Sequence, residues 1–174
     1  MALNIEIKAK ISDTELIKNK LSQLKKEILR QKDTFINLPD SGRLKIRCIN
    51  DTKSQLIYYE RNENEQLMPS NFTIFTYPDK AKSRKALKNF KRNYGIIAVV
   101  KKYREYYRDG NVRIHLDSVE KLGTFVEIEV VVNNNLSEID ACWIAKDYMF
   151  NKLQISTDCI ISKSYVDLLT NKYY

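Results

Sequence analysis

The chain has 174 residues, 43% of them apolar, with 30 Lys and Arg against 22 Asp and Glu, a formal charge of +8. This length suits one domain with a substantial core, spanning residues 1–174, rather than two. The positive balance attracts polyanions without choosing among them, and with only 4 Gly and 3 Pro no linker or low-complexity stretch is visible.

Residues 3–11 predict a first strand. The opening, Met1-Ala2-Leu3-Asn4, does not have the charged and then apolar pattern of a secretory signal. Ser12 is expected to cap a helix, with Glu15 completing a capping box. Leu16, Ile17, Leu21, Leu24 and Ile28 then recur at helical spacing toward a core. A strand near 30–38 closes at the turn Pro39-Asp40-Ser41-Gly42. Strands near 43–50 and 55–61 form a hairpin through Asn50-Asp51-Thr52-Lys53. The polar stretch from Asn62 to Asn71 reads as a loop, and Phe72 to Tyr77 as another strand. Residues 79–93 suit a helix carrying Ala81, Leu87 and Phe90, with Lys80, Lys82, Arg84, Lys85 and Lys88 on a solvated face. The longest apolar run, Ile96 to Val100, is far too short to span a bilayer. The segment 96–108 is extended and turns at Asp109-Gly110-Asn111, a strong hairpin signal, into strands over 111–117 and 124–132. Ser137 and Asp140 open a third helix with Ile139, Cys142, Trp143, Met149, Phe150 and Leu153 on its apolar side. A short final helix is expected around 158–169. Cys48, Cys142 and Cys159 are widely spaced, contain no C-x-x-C pair and read as reduced, packed thiols rather than zinc ligands. These features predict a soluble, cytoplasmic protein with no membrane partner.

Strands in hairpins dominate, so the sequence predicts an antiparallel α+β domain. Its strands share one peculiarity. Residues i and i+2 of a strand face the same way, and five segments place charge at that spacing. They are Asn4-Ile5-Glu6-Ile7-Lys8, Arg43-Leu44-Lys45-Ile46-Arg47, Lys102-Tyr103-Arg104, Arg113-Ile114-His115-Leu116-Asp117 and Glu127-Ile128-Glu129. Acids and bases divided among several strands suggest that the charged faces meet around a common polar interior. That favours a closed β-barrel with a wet interior over a flat sheet on a dry core. Its natural guest is a metal-bound polyanion. Hard divalent cations sit between carboxylates and phosphate oxygens, while Arg offers phosphate a bidentate fork. His115 is expected in a supporting hydrogen bond, Tyr103, Tyr106 and Tyr107 in packing rather than base stacking, and Lys163 away from the tunnel mouth.

These segments also carry a family resemblance. Glu6 and Lys8, Arg113–Asp117 and Glu127–Glu129 resemble the CYTH superfamily of triphosphate tunnel metalloenzymes, whose hallmark is an N-terminal E-x-E-x-K strand. The superfamily includes class IV adenylyl cyclases, thiamine triphosphatases and inorganic tripolyphosphatases. Gln31-Lys32-Asp33-Thr34-Phe35, Gly42–Arg47, Leu56–Arg61, Arg113–Glu120 and Ser164–Leu169 support the match, and the ensemble looks most like the branch resembling class IV adenylyl cyclase. The resemblance implies an eight-stranded antiparallel tunnel with flanking helices. In it Lys8, Arg43, Lys45, Arg47, Lys102, Arg104 and Arg113 grip a triphosphate. Glu6, Asp117, Glu127 and Glu129 hold Mg²⁺ or Mn²⁺, and Glu6, Lys8 and Asp117 are the expected catalytic residues. Two positions depart from the pattern. Asn4 replaces the first Glu, keeping a carbonyl oxygen and losing a charge. Some relatives place a tunnel Lys on the fourth strand, where this chain has Glu60 and Arg61.

The implied activity is metal-dependent cleavage of a triphosphate, with hydrolysis of tripolyphosphate, thiamine triphosphate or a nucleoside triphosphate in first place. Cyclisation of ATP to cyclic AMP and pyrophosphate is the alternative, and a non-catalytic polyphosphate or nucleotide binder the second. A nucleic-acid partner is disfavoured because the inward carboxylates repel phosphates unless a metal intervenes. The chain is expected as a monomer or homodimer.

Overall fold

The first strand, β1 (Ala2–Ile11), sets the pattern of the molecule. Asn4, Glu6 and Lys8 face one way and Ile5, Ile7 and Ala9 the other, and both sets are buried. Charge on one buried face requires a polar interior on that side. The computed structural model, which describes residues 2–39, 42–61 and 67–170, supplies that interior by closing the sheet. The remaining strands are β2 (Lys26–Ile36), β3 (Arg43–Ile49), β4 (Lys53–Arg61), β5 (Met68–Thr76), β6 (Ile96–Asp109), β7 (Val112–Val119) and β8 (Gly123–Val131). They form a closed antiparallel barrel in the order β1-β5-β4-β3-β2-β6-β7-β8. Four helices flank it: α1 (Thr14–Lys20), α2 (Lys80–Tyr94), α3 (Glu138–Lys146) and α4 (Tyr165–Thr170). This is the α+β tunnel that the sequence predicts. No helix among the described residues is long and apolar enough to cross a membrane.

Apolar side chains form two cores, one on each side of the barrel wall. Outside, Ile5, Ile7, Ile114, Val126, Ile128 and Val130 pack beneath α1, α3 and the π-helical turn Asp147–Lys152 that continues α3. Inside one end, Phe35, Tyr59, Val100, Val119 and Phe125 surround Tyr165 and Val166 of α4. The final helix therefore stoppers the barrel. The hairpins form where the turn residues allow. Asn50 and Asp51 both take left-handed φ angles, 50° and 54°, as a two-residue β3–β4 turn requires. Gly110 does the same between β6 and β7, at φ 56°.

Several expectations shift. The cap of α1 is Asp13, which accepts from the Leu16 amide at 3.0 Å, and Glu15 pairs with Lys18 at 2.8 Å. The helix ends at Lys20 because Lys26 to Ile36 pair with β6, so Ile28 is a strand residue, and Leu16 is exposed. β5 begins at Met68, inside the stretch expected as loop, and residues 62–66 of that stretch lie outside the described residues, as do Asp40 and Ser41 of the expected turn. On α2, Ala81 is exposed and Leu87 and Phe90 are half-buried; Lys80, Lys82, Arg84, Lys85 and Lys88 are exposed. The expected final helix is instead a 3₁₀ turn at Thr157–Cys159, an extended crossing in which the Ile161 amide donates to the Lys8 carbonyl at 2.8 Å, and the short α4.

The largest correction concerns α3. Ile139 and Trp143 are 71% and 69% exposed. Ala141 and Ala145, with Met149 beyond them, form the stripe that meets the barrel. Small side chains let the helix approach the strands closely, which turns the larger pair outward. Ile128→Ala should therefore cost about 2–5 kcal/mol, the usual range for emptying a core site, whereas Trp143→Ala should change stability by no more than about 0.5 kcal/mol. Urea unfolding of the two variants checks this, and a large loss in Trp143→Ala would contradict the assigned helix face.

Candidate active site

Strand pairing arranges the inward side chains in rungs. Glu6 stands opposite Glu129, which stands opposite Arg113 on its other side. On the next rung, Lys8 is opposite Glu127, Glu127 opposite His115, and His115 opposite Tyr106. Nearer α4, Arg104 is opposite Asp117, and Asp117 opposite Phe125. Across the barrel, Arg47 faces Asp33 and Lys45 faces Phe35 on the β2–β3 ladder. Together these strands enclose a cavity of about 350 Å³, within the range of roughly 300–1,000 Å³ typical of small-molecule sites. Among the described residues it is lined by seven cations, Lys8, Lys45, Arg47, Lys102, Arg104, Arg108 and Arg113, against four carboxylates, Glu6, Asp33, Glu127 and Glu129. Leu29, Ile49, Ile57, Phe72 and Ile74 give the cavity an apolar part.

Two ion-pair clusters organise the charge. In the first, Arg104 grips Asp117 with two bonds of 2.6 Å and reaches Glu127 at 3.0 Å. The Tyr165 hydroxyl also donates to Asp117 at 3.0 Å, and Lys102 lies 3.5 Å from it. In the second, Arg47 forks onto Asp33 with two bonds of 2.7 Å, and Lys45 joins at 3.0 Å. The Lys8 ammonium donates to the Lys163 carbonyl at 3.1 Å and lies 4.6 Å from the centre of the Tyr165 ring. That ring also faces Lys102, at 5.1 Å. Lys163 thus meets the site through its backbone.

Burial opposes ionisation throughout, and the neighbours decide the outcome. Burial pushes Asp33 up, but Arg47 and Lys45 outweigh it and hold the carboxyl well below its usual range. Asp117 is likewise lowered, with Arg104 and Lys102 overcoming burial. Glu127 is held well below its usual range by His115, Lys8 and Arg104. The buried cations divide: against burial, Asp33 raises Arg47 and Asp117 raises Arg104, whereas the two lysines are lowered. Burial, reinforced by Arg47, lowers Lys45 to about 7, and burial with the nearby Arg104 lowers Lys102. Among the described residues, the cations that line the cavity outnumber the carboxylates that line it.

Among the described residues, three buried side-chain atoms lack a hydrogen-bond partner: Asn4 Oδ1, Gln31 Oε1 and His115 Nδ1. All three residues line the cavity. Buried polar groups are nearly always paired, so this clustering is the signature of a site for a polar guest. One donor set also suits a metal ion. Ligand atoms of His115, Glu127 and Glu129 lie within 4.8 Å of one another.

Not every expected residue reaches the cavity. Arg43 is tied to Asp167 of α4 at 2.8 Å, and Asp117 is fully buried within the Arg104 cluster; neither lines the cavity. Glu60 is exposed on the outer face, where it accepts from Tyr58, and the Arg61 side chain lies outside the described set. Tyr103 is exposed and Tyr107 donates to Glu105 at 2.9 Å, whereas Tyr106 lines the cavity beside His115. Sequence reasoning gave no role to Asp33, Arg108 or Tyr165. Strand parity with Phe35 was the available signal for Asp33. Nothing local marked Tyr165, whose place depends on the tail crossing the barrel end.

The fold is a closed barrel of antiparallel strands, stoppered by a helix and lined with cations and carboxylates. Residues 2–148 match the CYTH domain, and the chain belongs to that family. A Methanocaldococcus jannaschii protein named as a candidate adenylate cyclase is 27% identical, over 95% of this chain and 98% of that one. A solved Pyrococcus horikoshii protein superposes with a TM-score of 0.80 at 30% identity, covering 95% of this chain and 98% of that one. A Hippeastrum protein, a candidate adenylyl cyclase described as having a dominant triphosphatase activity, superposes with a TM-score of 0.73 at 14% identity, over 100% and 98% of the two chains. At that identity the likeness speaks for the fold alone.

The lowered Lys45 yields a pH prediction. The free protein is about half deprotonated there near pH 7, and an anion against the ammonium raises its pKa. Binding a non-hydrolysable triphosphate at pH 8 should therefore take up a proton, and affinity should fall as pH rises above 7. Calorimetry in two buffers of different ionisation enthalpy measures the uptake. It should shrink in Lys45→Met; uptake unchanged in that variant would place the proton elsewhere.

Proposed function

We propose that this chain is a divalent-metal-dependent hydrolase that cleaves a terminal phosphoryl group from a triphosphate: tripolyphosphate, thiamine triphosphate or a nucleoside triphosphate. The observation that carries this reading is the charge of the cavity, a surplus of inward cations beside a carboxylate cluster. Phosphoryl transfer needs positioning and neutralisation of charge more than covalent help, and this interior is built of those two elements. Arg47, Lys45, Lys102 and Arg113 bind the phosphate oxygens, with the guanidinium groups as forks. Lys8, held by the Lys163 carbonyl and the Tyr165 ring, places a positive charge beside the reacting phosphorus. Glu127 and Glu129 hold the metal, which when bound neutralises phosphate oxygens as a Lewis acid. Glu6, opposite Glu129, accepts a hydrogen bond from the attacking water. Asp117 is a positioning residue, because its oxygens are engaged by Arg104 and Tyr165.

The apolar part of the cavity, Ile49, Ile57, Phe72 and Ile74, supports a substrate with an organic body next to its phosphates. It also keeps a second reading in view, cyclisation of ATP, in which the ribose 3′-hydroxyl attacks the α-phosphorus and pyrophosphate leaves. The name of the Methanocaldococcus relative favours cyclisation; the phosphate-gripping charge of the cavity, with no adenine-recognising pocket identified in it among the described residues, favours hydrolysis.

Incubation with tripolyphosphate, thiamine triphosphate and ATP, each with Mg²⁺ or Mn²⁺, separates the two by product: orthophosphate on one side, cyclic AMP with pyrophosphate on the other. Either reaction should fall on the order of 10²-fold in Glu127→Gln and in Glu129→Gln, the scale for loss of a key electrostatic element. Lys85→Ala, on the exposed face of α2, should leave turnover intact. Full turnover in both Gln variants would sink the metal-dependent reading.

A further inference from the structure

His115 is the only histidine in the chain. Its side chain points into the barrel, 2% exposed, opposite Glu127 on β8 and Tyr106 on β6. The Tyr106 ring lies 5.6 Å from it, centre to centre, and limits how the imidazole can turn. Nδ1 is buried and lacks a hydrogen-bond partner. It lies 3.5 Å from an oxygen of Glu127 and 3.5 Å from an oxygen of Glu129. That separation is beyond a normal N–H···O bond. It is close to the spacing of neighbouring ligands on a common ion, since bonds of about 2.1 Å at right angles put ligand atoms about 3 Å apart.

We propose that His115 Nδ1 is a direct metal ligand alongside Glu127 and Glu129, and that this mixed imidazole–carboxylate set makes the site favour Mn²⁺ over Mg²⁺. The inference rests on the metal-dependent reading above and adds the identity of the third ligand. Mg²⁺ is held by carboxylate, phosphate and water oxygens and gives up its waters reluctantly. Mn²⁺ shares that liking for oxygen but stands at the weak end of the transition-ion series that binds nitrogen donors, so one imidazole in the set shifts the balance toward it. Asn4 points the same way. It lines the same cavity two positions before Glu6, with its own buried oxygen unpaired. A neutral residue there removes one carboxylate charge, which is a lever on affinity for hard cations. The histidine supplies a donor whose contribution does not depend on charge.

The test uses tag-free, full-length protein and Mn²⁺ alone, so that the one imidazole in the sample is His115. Pulsed electron paramagnetic resonance of the Mn²⁺-loaded protein should show modulation from a directly bound nitrogen. That modulation should vanish in His115→Phe, and competition between Mn²⁺ and Mg²⁺ should show the Mn²⁺ preference falling about tenfold or more, as for loss of a supporting group at a metal site. Circular dichroism establishes that the variant is folded; the wild-type spectrum decides the question even if it is not. Mn²⁺ bound in a manner that depends on Glu127 and Glu129, but without nitrogen modulation, would overturn the assignment and leave metal-dependent hydrolysis standing. No Mn²⁺ binding, together with cleavage in excess chelator, would overturn both.

Discussion

The Arg104–Asp117 pair sits where β6, β7 and α4 meet, and most of the interior is arranged around it. Both partners are buried, and a charge taken out of water must be paired and hydrogen-bonded. Arg104 satisfies Asp117 with two short bonds, Tyr165 adds a third, and the remaining reach of Arg104 goes to Glu127. The Arg47–Asp33–Lys45 cluster repeats the arrangement across the barrel. Each cluster spans neighbouring strands, so the charges that define the site also bind the barrel wall together. The clusters do not neutralise everything. Burial above all, with neighbouring cations adding to it, depresses Lys45 and Lys102, and an anionic guest would stabilise their charged forms.

That requirement shapes the walls. Strands β1, β7 and β8 are buried on both faces, with apolar side chains under α1 and α3 and charged ones inward. α3 can cover them closely because Ala141 and Ala145 face the barrel. At the other end of the chain, α4 closes the tunnel with Tyr165, whose ring meets two ammonium groups and whose hydroxyl meets Asp117. One side chain thus serves the apolar plug and the charge network together.

Much of this is written in the sequence at two-residue spacing. Lys45 with Arg47, Lys102 with Arg104, and Glu127 with Glu129 share faces because a strand's side-chain period is two, and the cavity contains all six. The hairpin turns at Asn50-Asp51 and at Gly110 were legible for a similarly local reason, the left-handed backbone those residues tolerate. What was not legible depends on distant pairing. Helix α1 stops at Lys20 because β2 continues to Lys26 in register with β6. Ile139 and Trp143 read as core residues because hydropathy ranks them above alanine, while close approach to the barrel selects the small pair instead. Arg43 has the right parity but the wrong height, and ends on Asp167. Asp117 sits on the correct face, yet its oxygens are occupied by neighbours that only the closed barrel brings together. Tyr165 acts through Asp117, which is distant in the chain, and Asp33 through Arg47 and Lys45 on the neighbouring strand; strand spacing alone does not show which of these inward groups meet.

The central claim is that the inward charge of the barrel, rather than the basic outer surface of α2, is where a triphosphate binds. The most direct measurement is a crystal structure of the protein with a non-hydrolysable triphosphate and Mn²⁺, using anomalous scattering to locate the ion. The account predicts phosphate density inside the cavity against Arg47, Lys102 and Arg113, with the ion at Glu127 and Glu129. Phosphates lying along Lys82, Lys85 and Lys88 on the outside, with an interior free of both phosphate and metal, would contradict it.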